Sequence, residues 1–485
     1  MKKPNQIDVI KNLEKTVYPQ ILSSVHIKNI LILSLLLSIA TLVILLFSPP
    51  NQDEGVFLTI AKNLPQKLPY RDFFDHKTPA IYFFLNPLTQ IFNTNIAPIR
   101  SVFLILNLLS ALLIYLISNR YQKNAGPLVA IVFLALLPFF EGSYLFAETI
   151  LGLLILLSIY LYLKAKDKNS NLLLLLSVIS ISIAPLFKQT ALINFLILLF
   201  FYLKKPKSYL QKSHILLITL TIVVIGIIIA IMAKNSGFWQ QAVLANFRSY
   251  PPESLIFVLK NLLQKILPTL IILIWLPLYF IAKKSQKIPT LILLSALLPI
   301  PLFLTRHYPH YWLQILPLLS IILVAAPINL SQLFNPKIQA RLIYLFSFSL
   351  IFLSLFGLII TAKDLFLSTI PKNREISQII NQLQNDQNSK ILAENQFTYF
   401  YYLSKKENLN NYLYITEITD QEGNAEQKTQ EDLKNNQNDV SILWPTDQNY
   451  PYAKKLQDFI NQNYKIKESY PALGLTLYTE LILPQ

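Results

Sequence analysis

The residues best suited to chemistry lie in one polar stretch, residues 48–84, which directly follows the first long apolar run. It contains two adjacent carboxylates, Asp53 and Glu54. Charged side chains beside a bilayer are costly and are therefore candidates for function. A rigid, ionised carboxylate at the water–lipid boundary can act as a general base toward a hydroxyl group. We predict that Asp53 and Glu54 are catalytic, and that Asp53 also N-caps a helix that begins near Glu54.

A second charged cluster follows at residues 70–79, in the run YRDFFDHKTP. Thr78 and Pro79 are typical of a helix start and predict an interfacial helix over Ala80–Phe92. Lys77 would then lie beside the positive N-terminal end of that helix, where an anion binds well. Considered alone, Lys77 is more readily interpreted as a lysine that snorkels to the headgroup level, but together with Asp53 it favours anion binding. The neighbouring residues predicted to contact an acceptor or to shape the site are Arg71, Asp75 and His76.

Further polar residues fall at the ends of later apolar runs, on what we predict to be the same membrane face. Glu148 has apolar neighbours in the sequence, so its carboxylate should be paired or functional. Arg306 falls at an outer end, where the positive-inside rule disfavours arginine, and arginine can bind a phosphate bidentately. An aromatic belt in contact with headgroups is the alternative interpretation. The predicted phosphate or carrier contacts are Lys77, Arg306, His310 and Lys188, and the predicted site-shaping residues are Glu148, Gln189, His307 and Tyr311.

The residue types weigh against several other chemistries. The sequence has no cysteine, which excludes disulfides, thiolate nucleophiles and thiolate metal sites. His76, His307 and His310 share one predicted face, but their spacing is not that of a helical zinc motif. We therefore assign no metal ligand and no cofactor, and leave a divalent metal open. The net charge of +16 suits cytoplasmic loops better than nucleic acid, so no nucleic acid partner is expected.

The composition indicates a polytopic α-helical membrane protein. Of the 485 residues, 53% are hydrophobic and 14% are charged, whereas soluble domains carry about a quarter charged residues. Because about 20 apolar residues cross a bilayer, the apolar runs predict about 11 transmembrane helices. We place them near residues 29–47, 98–118, 126–140, 144–163, 171–187, 190–203, 214–233, 262–282, 289–304, 310–330 and 342–361. The 171–203 region could instead be one broken helix.

Basic residues predict the orientation of these helices. They cluster in alternate loops, near residues 120–123, 164–168, 204–212, 283–287 and 337–341. The positive-inside rule then makes residues 1–28 cytoplasmic and places residues 48–97 outside a plasma (inner) membrane. An odd number of helices places the C-terminus outside as well.

Beyond the last apolar run the composition becomes polar. Residues 29–361 are predicted to form the transmembrane catalytic domain, and residues 362–485 a small soluble extracytoplasmic α/β domain. Its helix-like segments lie near residues 374–386, 427–436 and 451–462, and its strand-like segments are 390–395, 412–416, 440–444, 464–470 and 475–481. It has no glycine-rich phosphate loop, so a capping or acceptor-docking role is expected.

Together these motifs resemble the GT-C superfamily of glycosyltransferases that use polyprenyl-phosphate sugars. The most similar branch is the bacterial protein O-mannosyltransferase and lipid A aminoarabinose transferase group. The resemblance rests on DEGVF at residues 53–57 and on LPYRDFFDHKTP at residues 68–79. Weaker matches are Ala-Glu at 147–148, Lys-Gln at 188–189 and HYWLQILP at 310–317, so that the resemblance covers residues 29–330.

The resemblance implies that Asp53 is the catalytic base, with Glu54 beside it, and that Lys77 contacts the lipid phosphate. The aminoarabinose branch has Glu before this lysine, whereas this sequence has His76, which argues against a strict aminoarabinose transferase. No inserted luminal domain like that of the eukaryotic O-mannosyltransferases is visible between the late helices, so protein O-mannosylation is not secured either.

These observations predict a membrane glycosyltransferase that moves a hexose, such as mannose, from a polyprenyl-phosphate carrier to a hydroxyl group. The acceptor would be a cell-envelope glycan, a lipid or a protein, and one displacement would invert the anomeric centre. The alternative is a polytopic transporter or flippase, which the low glycine count and the gathering of charge at one face disfavour. A glycan ligase using a diphosphate-linked oligosaccharide would call for more cations, and a non-catalytic scaffold would leave the acids unexplained.

Overall fold

The structure is a computed structural model. It describes residues 25–121, 125–203, 219, 226, 230, 237–245, 254–275, 288–304, 308–331, 336–415, 419, 424–436, 439–446 and 453–481. Arg306, His307, nearly all of the predicted span 214–233 and almost all of the segment 1–28 lie outside these residues.

Long apolar helices dominate the chain before residue 365. Four helices are long and apolar enough to cross a membrane, namely His26–Leu45, Ile96–Tyr121, Ala147–Lys168 and the continuous helix Ala340–Asn385. The helices of this part, numbered in chain order, are α1 Val25–Leu45, α2 Gln52–Asn63, α3 Ala80–Phe92, α4 Ile96–Tyr121, α5 Gly126–Leu136, α6 Ala147–Lys168, α7 Asn171–Phe187, α8 Ala191–Leu203, α9 Leu255–Ile266, α10 Leu270–Leu273, α11 Thr290–Leu297, α12 Ile300–Phe303, α13 Leu316–Ser331 and α14 Pro336–Asp364.

Several predicted spans correspond to shorter apolar helices. Gly126–Phe140, Asn171–Phe187, Ala191–Leu203, Thr290–Phe303 and Leu316–Ala325 have 10–17 residues each. The predicted count of about 11 full-length spans is therefore not confirmed among the described residues. Prolines account for part of the shortening, since Pro309 lies in a 3₁₀ segment, Pro309–Gln314, that precedes α13. The 171–203 region forms two helices, with a turn at residues 188–190 between them.

The outward faces of these helices are apolar. Leu36, Ile105 and Phe348 are 59%, 55% and 64% exposed, although each belongs to a helix long enough to span a bilayer. Inside the bundle, helices meet through small polar side chains, as where the Ser38 hydroxyl donates to that of Ser354 at 3.2 Å between α1 and α14. Apolar exteriors and internal hydroxyl contacts are what a polytopic membrane protein requires.

Two shorter helices carry the predicted site motifs. Helix α3 spans Ala80–Phe92, as the sequence predicts, and it packs against α2. The Asn86 side chain of α3 donates to the carbonyls of Ala61 at 2.8 Å and Leu64 at 3.2 Å, at the C-terminal end of α2. The two motifs are therefore held side by side by a hydrogen bond between their helices.

The C-terminal residues form a five-stranded mixed sheet in the order β2-β1-β3-β5-β4. Strand β1 pairs in parallel with β2 and β3, and β5 runs antiparallel to β3 and β4. The strands are β1 Lys390–Ala393, β2 Glu407–Asn408, β3 Val440–Pro445, β4 Tyr464–Tyr470 and β5 Leu475–Leu481, and the helices are α15 Ile370–Asn385, α16 Tyr399–Ser404, α17 Ala425–Asn435 and α18 Lys454–Asn463. Every residue of β3 is buried.

One predicted strand is absent. Residues 412–415 are irregular, because their polar atoms bind outside the sheet: the Ile415 N–H donates to Glu394 at 2.8 Å, and the Tyr414 hydroxyl reaches Asp75. The sheet still has five strands, because the short strand β2, which was not predicted, pairs with β1. The sequence reads 412–416 as a strand because Tyr and Ile favour extended structure, and tertiary contacts override that preference.

Gly55 is the point where α2 meets the C-terminal sheet unit. A β-carbon added there would lie 2.3 Å from the backbone nitrogen of Tyr399 and 2.6 Å from the carbonyl carbon of Thr398. The Thr398 hydroxyl also donates to the Gln52 carbonyl at 2.8 Å. Glycine is required here because two backbones approach each other closely.

We expect Gly55→Ala to lower the free energy of unfolding by roughly 1–3 kcal/mol, because the new methyl group would collide with backbone atoms that cannot move aside. Gly357→Ala is the matched control. Its β-carbon would meet Phe139 only at ordinary contact distance, 3.4 Å, so that substitution should be tolerated. Thermal unfolding of both variants in detergent measures the difference, and equal unfolding temperatures would contradict the packing described here.

Candidate active site

The site begins at the N-terminus of α2. Asn51 is the N-cap: its side chain accepts a hydrogen bond from the Glu54 N–H at 2.9 Å, and the Glu54 carboxylate accepts one from the Asn51 N–H at 3.1 Å. The predicted N-cap at Asp53 is therefore wrong, because the helix starts two residues earlier than predicted, at Gln52. Asp53 lies in the first turn instead, and its side chain lines a cavity.

Glu54 is fully buried in an ion pair with Arg100 of α4. The guanidinium binds both carboxylate oxygens, at 2.9 Å to Oε1 and 2.6 Å to Oε2, and the Leu145 N–H donates to Oε1 at 3.1 Å. Other guanidinium N–H groups donate to the backbone carbonyls of Leu46, Ser48 and Pro49. Both oxygens of Glu54 are thus engaged away from solvent, and the ion pair holds the loop in place.

Asp75 organises the loop that carries Lys77. Its buried carboxylate accepts hydrogen bonds from the N–H groups of His76 at 2.6 Å and Lys77 at 3.2 Å, and from the Tyr82 hydroxyl at 2.7 Å. The Tyr70 hydroxyl donates to the Lys77 carbonyl at 2.5 Å. These bonds fix the backbone on both sides of Lys77.

Lys77 and Asp53 form an ion pair, with Nζ 2.5 Å from Oδ1. Burial by itself would raise the pKa of Asp53, but the Lys77 ammonium, with smaller contributions from His310 and His76, lowers it to about 2. Burial would likewise lower the pKa of Lys77, but the carboxylates of Asp53 and Asp75 raise it. Both groups are therefore charged near neutral pH.

His76 joins this pair to the C-terminal residues. Its Nδ1 lies 2.9 Å from the Tyr414 hydroxyl, which in turn lies 3.3 Å from Asp75 Oδ1. Burial and then the Lys77 ammonium lower the pKa of His76 to about 4, against the opposing carboxylates of Asp75 and Asp53. His76 is therefore a neutral imidazole near pH 7.

His310 forms the opposite wall. Its Nδ1 lies 2.8 Å from Glu141 Oε2, and its ring stacks on Phe146 with centroids 3.9 Å apart. Phe146 precedes α6, and His310 lies in the 3₁₀ segment before α13. Two distant parts of the chain thus hold this imidazole in one orientation.

A third charged pair lies deeper in the site, between Lys188 and Glu148. The Lys188 ammonium also lies 3.6 Å from the centroid of the Tyr311 ring. Burial, followed by the Glu148 carboxylate, raises the pKa of Tyr311, so its hydroxyl stays protonated. Gln189 donates to the Ala242 carbonyl at 2.6 Å, which ties the 188–190 turn to residues 237–245.

Two adjoining cavities bring these groups together. The wider one has a volume of about 360 Å³ and reaches Glu141 and Tyr414, and the narrower one has a volume of about 70 Å³ and reaches Glu148, Lys188 and Gln189. The residues that line both are Asp53, His76, Lys77, Phe146, His310 and Tyr311. Helices far apart in the sequence therefore converge on the Asp53–Lys77 pair.

Some predicted residues lie elsewhere, and some residues of the site were not predicted. The Arg71 side chain is 52% exposed, pairs with its neighbour Asp72 at 2.6 Å and lines neither cavity. A charged residue at the end of an apolar run was a sequence signal for Arg100. No sequence pattern pointed to Tyr414. The site residues missed from the sequence are Arg100, Glu141, Tyr144 and Tyr414.

Within the part of the chain that the structure describes, no three His, Cys, Asp or Glu side chains are grouped so as to hold a metal ion. The cationic groups at the cavities are instead each paired with a carboxylate.

The chain is similar to known proteins in sequence and in fold. The family model described as dolichyl-phosphate-mannose-protein mannosyltransferase matches residues 76–232. The crystal structure of ArnT from Cupriavidus metallidurans bound to undecaprenyl phosphate superposes with a TM-score of 0.64 at 11% identity, covering 94% of this chain and 99% of that chain. The predicted GT-C resemblance is confirmed.

A second crystal structure shows the same similarity of fold. ArnT from Cupriavidus metallidurans in the apo state superposes with a TM-score of 0.59 at 11% identity, covering 89% of this chain and 93% of that chain. A search of curated proteins gives no match by sequence. At 11% identity the likeness shows an ArnT-like fold alone and leaves the chemistry to the residues described above.

We expect the His76 imidazole to titrate near pH 4 in NMR spectra of histidine-labelled protein, because burial and the Lys77 ammonium both disfavour its protonation. Lys77→Met should raise the midpoint, since the carboxylates of Asp53 and Asp75 would remain. The signal that disappears in the His76→Gln variant is assigned to His76. A wild-type midpoint at or above the ordinary value of about 6.5 would show that His76 is not held in this environment.

Proposed function

We propose that this protein is a membrane glycosyltransferase that transfers one hexose, such as mannose, from a polyprenyl-phosphate carrier to a hydroxyl group. The observation that carries the proposal is the Asp53–Lys77 pair, which lies where the two cavities meet. The GT-C fold supports it, as do the matching mannosyltransferase family model and the undecaprenyl phosphate bound to the similar ArnT.

Lys77 would bind the phosphate of the carrier. It lies just before Pro79, the N-cap of α3, so an anion beside it would also meet the positive end of a helix of 13 residues. Lys188 and His310 line the same space and would add polar contacts. We expect Lys77 to make the main contact with the phosphate, because Asp75 fixes its backbone and its side chain lines both cavities.

Asp53 would act as the general base. The acceptor oxygen attacks the anomeric carbon as its proton passes to Asp53, the bond between that carbon and the phosphate oxygen breaks, and the bonding electrons leave with the phosphate. A single displacement inverts the anomeric centre. The Lys77 ammonium, held in a fixed position, would stabilise the negative charge that develops on the departing phosphate.

The Asp53–Lys77 pair also bears on the strength of the base. A carboxylate with a pKa of about 2 is a weak base, and general bases work best with a pKa closer to the operating pH. A carrier phosphate that shares the Lys77 ammonium would weaken the pair and raise the pKa of Asp53. Binding of the carrier would in this way activate the base that the transfer needs.

The membrane arrangement follows the charge pattern of the sequence. We place the N-terminus in the cytoplasm, residues 29–361 in the plasma membrane as the catalytic domain, and residues 362–485 outside. The site then opens on the outer face, where the acceptor would be a glycan, lipid or protein of the cell envelope.

We expect Asp53→Asn to lower the transfer rate by about 100-fold or more, because the variant cannot accept the acceptor proton. The substitution should leave the unfolding temperature and carrier binding nearly unchanged. Asp72→Asn is the matched control, since Asp72 pairs with Arg71 outside both cavities. Consumption of a polyprenyl-phosphate mannose is the measurement, and normal turnover in Asp53→Asn would remove Asp53 as the base.

We expect Lys77→Gln to weaken binding of polyprenyl phosphate by roughly 10- to 100-fold, the range for loss of a charged hydrogen bond. Lys67→Gln serves as the control, because Lys67 lies in the same stretch of chain but does not line either cavity. Binding of labelled lipid to the detergent-solubilised protein provides the readout. Equal affinities for wild type and Lys77→Gln would place the phosphate elsewhere.

A further inference from the structure

The wider active-site cavity has one wall of aromatic side chains. Successive ring centroids along it lie 3.9–6.0 Å apart. Aromatic rings offer flat apolar faces with negative charge density, which suit the C–H face of a pyranose sugar. This aromatic wall consists of Tyr144, Phe146, Tyr308, His310 and Tyr311, all of which line the cavity.

Glu141 places a carboxylate beside the aromatic wall. Its Oε2 lies 2.8 Å from His310 Nδ1, and its side chain is 31% exposed. Among the described residues that line the wider cavity, the carboxylates are Asp53 and Glu141. Asp53 pairs with Lys77, so Glu141 is the carboxylate at the wall. A carboxylate can accept about four hydrogen bonds, which is more than one imidazole can donate.

The backbone of Glu141 has a conformation that glutamate rarely adopts. Its φ of 61° and ψ of 26° are left-handed, and it ends the 3₁₀ segment Leu137–Phe140. Glycine, asparagine and aspartate adopt this conformation most readily, yet the glycine of this turn, Gly142, comes one residue later. Left-handed residues other than glycine cluster at functional sites. A turn alone would be better served by glycine, which indicates that the site uses the Glu141 side chain.

Hydrogen bonds fix this turn. The N–H groups of Glu141 and Gly142 both donate to the Leu137 carbonyl. The buried Asn107 side chain of α4 donates to the Gly142 carbonyl at 2.7 Å. Helix α4 also carries Arg100, which pairs with Glu54 beside Asp53. One helix therefore holds both the start of α2 and the turn that presents the Glu141 carboxylate.

The proposed reaction puts the sugar of the carrier in the wider cavity. The sugar is bonded directly to the phosphate, and the phosphate would lie at Lys77, which lines both cavities. The wider cavity has a volume of about 360 Å³, against about 70 Å³ for the narrower one, so it has the room for a hexose. A hexose placed there would share its cavity with the aromatic wall and Glu141.

We propose that Glu141 accepts hydrogen bonds from hydroxyl groups of the hexose on the carrier, while the aromatic wall packs against the C–H face of the sugar. Glu141 would then select the donor, because a site built to hydrogen-bond a hydroxyl group rejects a sugar that lacks it. This inference rests on the proposed transferase function and adds a specificity-determining residue to it. The proton transfer remains assigned to Asp53.

Competition for binding tests the proposal. Labelled polyprenyl phosphate is displaced from the detergent-solubilised protein by unlabelled polyprenyl phosphate or by its mannose, glucose and galactose derivatives. The hexose carrier that binds most tightly is then compared with its monodeoxy derivatives. In the wild type we expect at least one deoxy derivative to bind roughly tenfold more weakly than its parent.

The Glu141→Gly variant should lose this discrimination. Binding of the parent hexose carrier should weaken by roughly 10- to 100-fold, to the level of that deoxy derivative, while bare polyprenyl phosphate binds as before. Glycine adopts a left-handed backbone without strain, so the variant should unfold at nearly the wild-type temperature. Glu141→Gln keeps an acceptor oxygen and should weaken binding less. The matched control is Glu431→Gln, which lies on an exposed part of α17 outside both cavities and should bind as wild type does.

Three results would overturn the proposal. Equal weakening of bare and hexose carriers in Glu141→Gly would show that Glu141 only orients His310. Unchanged binding of the hexose carrier in that variant would assign the aromatic wall to another ligand. Equal binding of the parent and all its deoxy derivatives by the wild type would remove the discrimination itself. These results leave the transferase proposal standing, whereas both proposals fail if the wild type binds none of the carriers.

Discussion

Glu54 and Arg100 form a buried ion pair, and the N-terminal end of α2 with its neighbours is arranged around it. Removing two charges from water is costly, and a buried pair is tolerated only when the remaining donors and acceptors are also satisfied. Here Glu54 also caps α2, and Arg100 also binds the carbonyls at the end of α1. The pair therefore fixes α1, α2 and α4 relative to one another. Asp53 is the next residue along, so its position follows from theirs.

Three consecutive residues at the start of α2 point in three directions and contact three different parts of the protein. Asp53 lines the active-site cavity, Glu54 enters the ion pair, and Gly55 lies against the backbone of Tyr399. Successive residues of an α-helix point about 100° apart, so one turn can join a site, a membrane bundle and a C-terminal unit. Tyr414 adds a side chain from that unit to the cavity. The C-terminal residues are thus part of the site.

Each described lysine that lines the two cavities has a carboxylate partner. Lys77 pairs with Asp53 and Lys188 with Glu148, and the His310 imidazole lies within hydrogen-bonding distance of Glu141. A phosphate would therefore meet cations that already have partners, and its binding would redistribute hydrogen bonds among them. Such an arrangement makes the proton affinity of Asp53 depend on what Lys77 binds, which in the proposed function would link carrier binding to the chemical step.

The sequence by itself determined the local features. It predicted α3 at Ala80–Phe92, the nearness of the motifs that contain Asp53 and Lys77, and most of the C-terminal strands, because periodicity, turn residues and helix-start signals act over a few neighbouring residues. Only the tertiary structure decided which side chains bind one another in the site. Arg100 lies 46 positions from Glu54, and Tyr414 lies 338 positions from His76. Which of two adjacent carboxylates is buried and which faces a cavity depends on packing between such distant residues, and no local pattern encodes it.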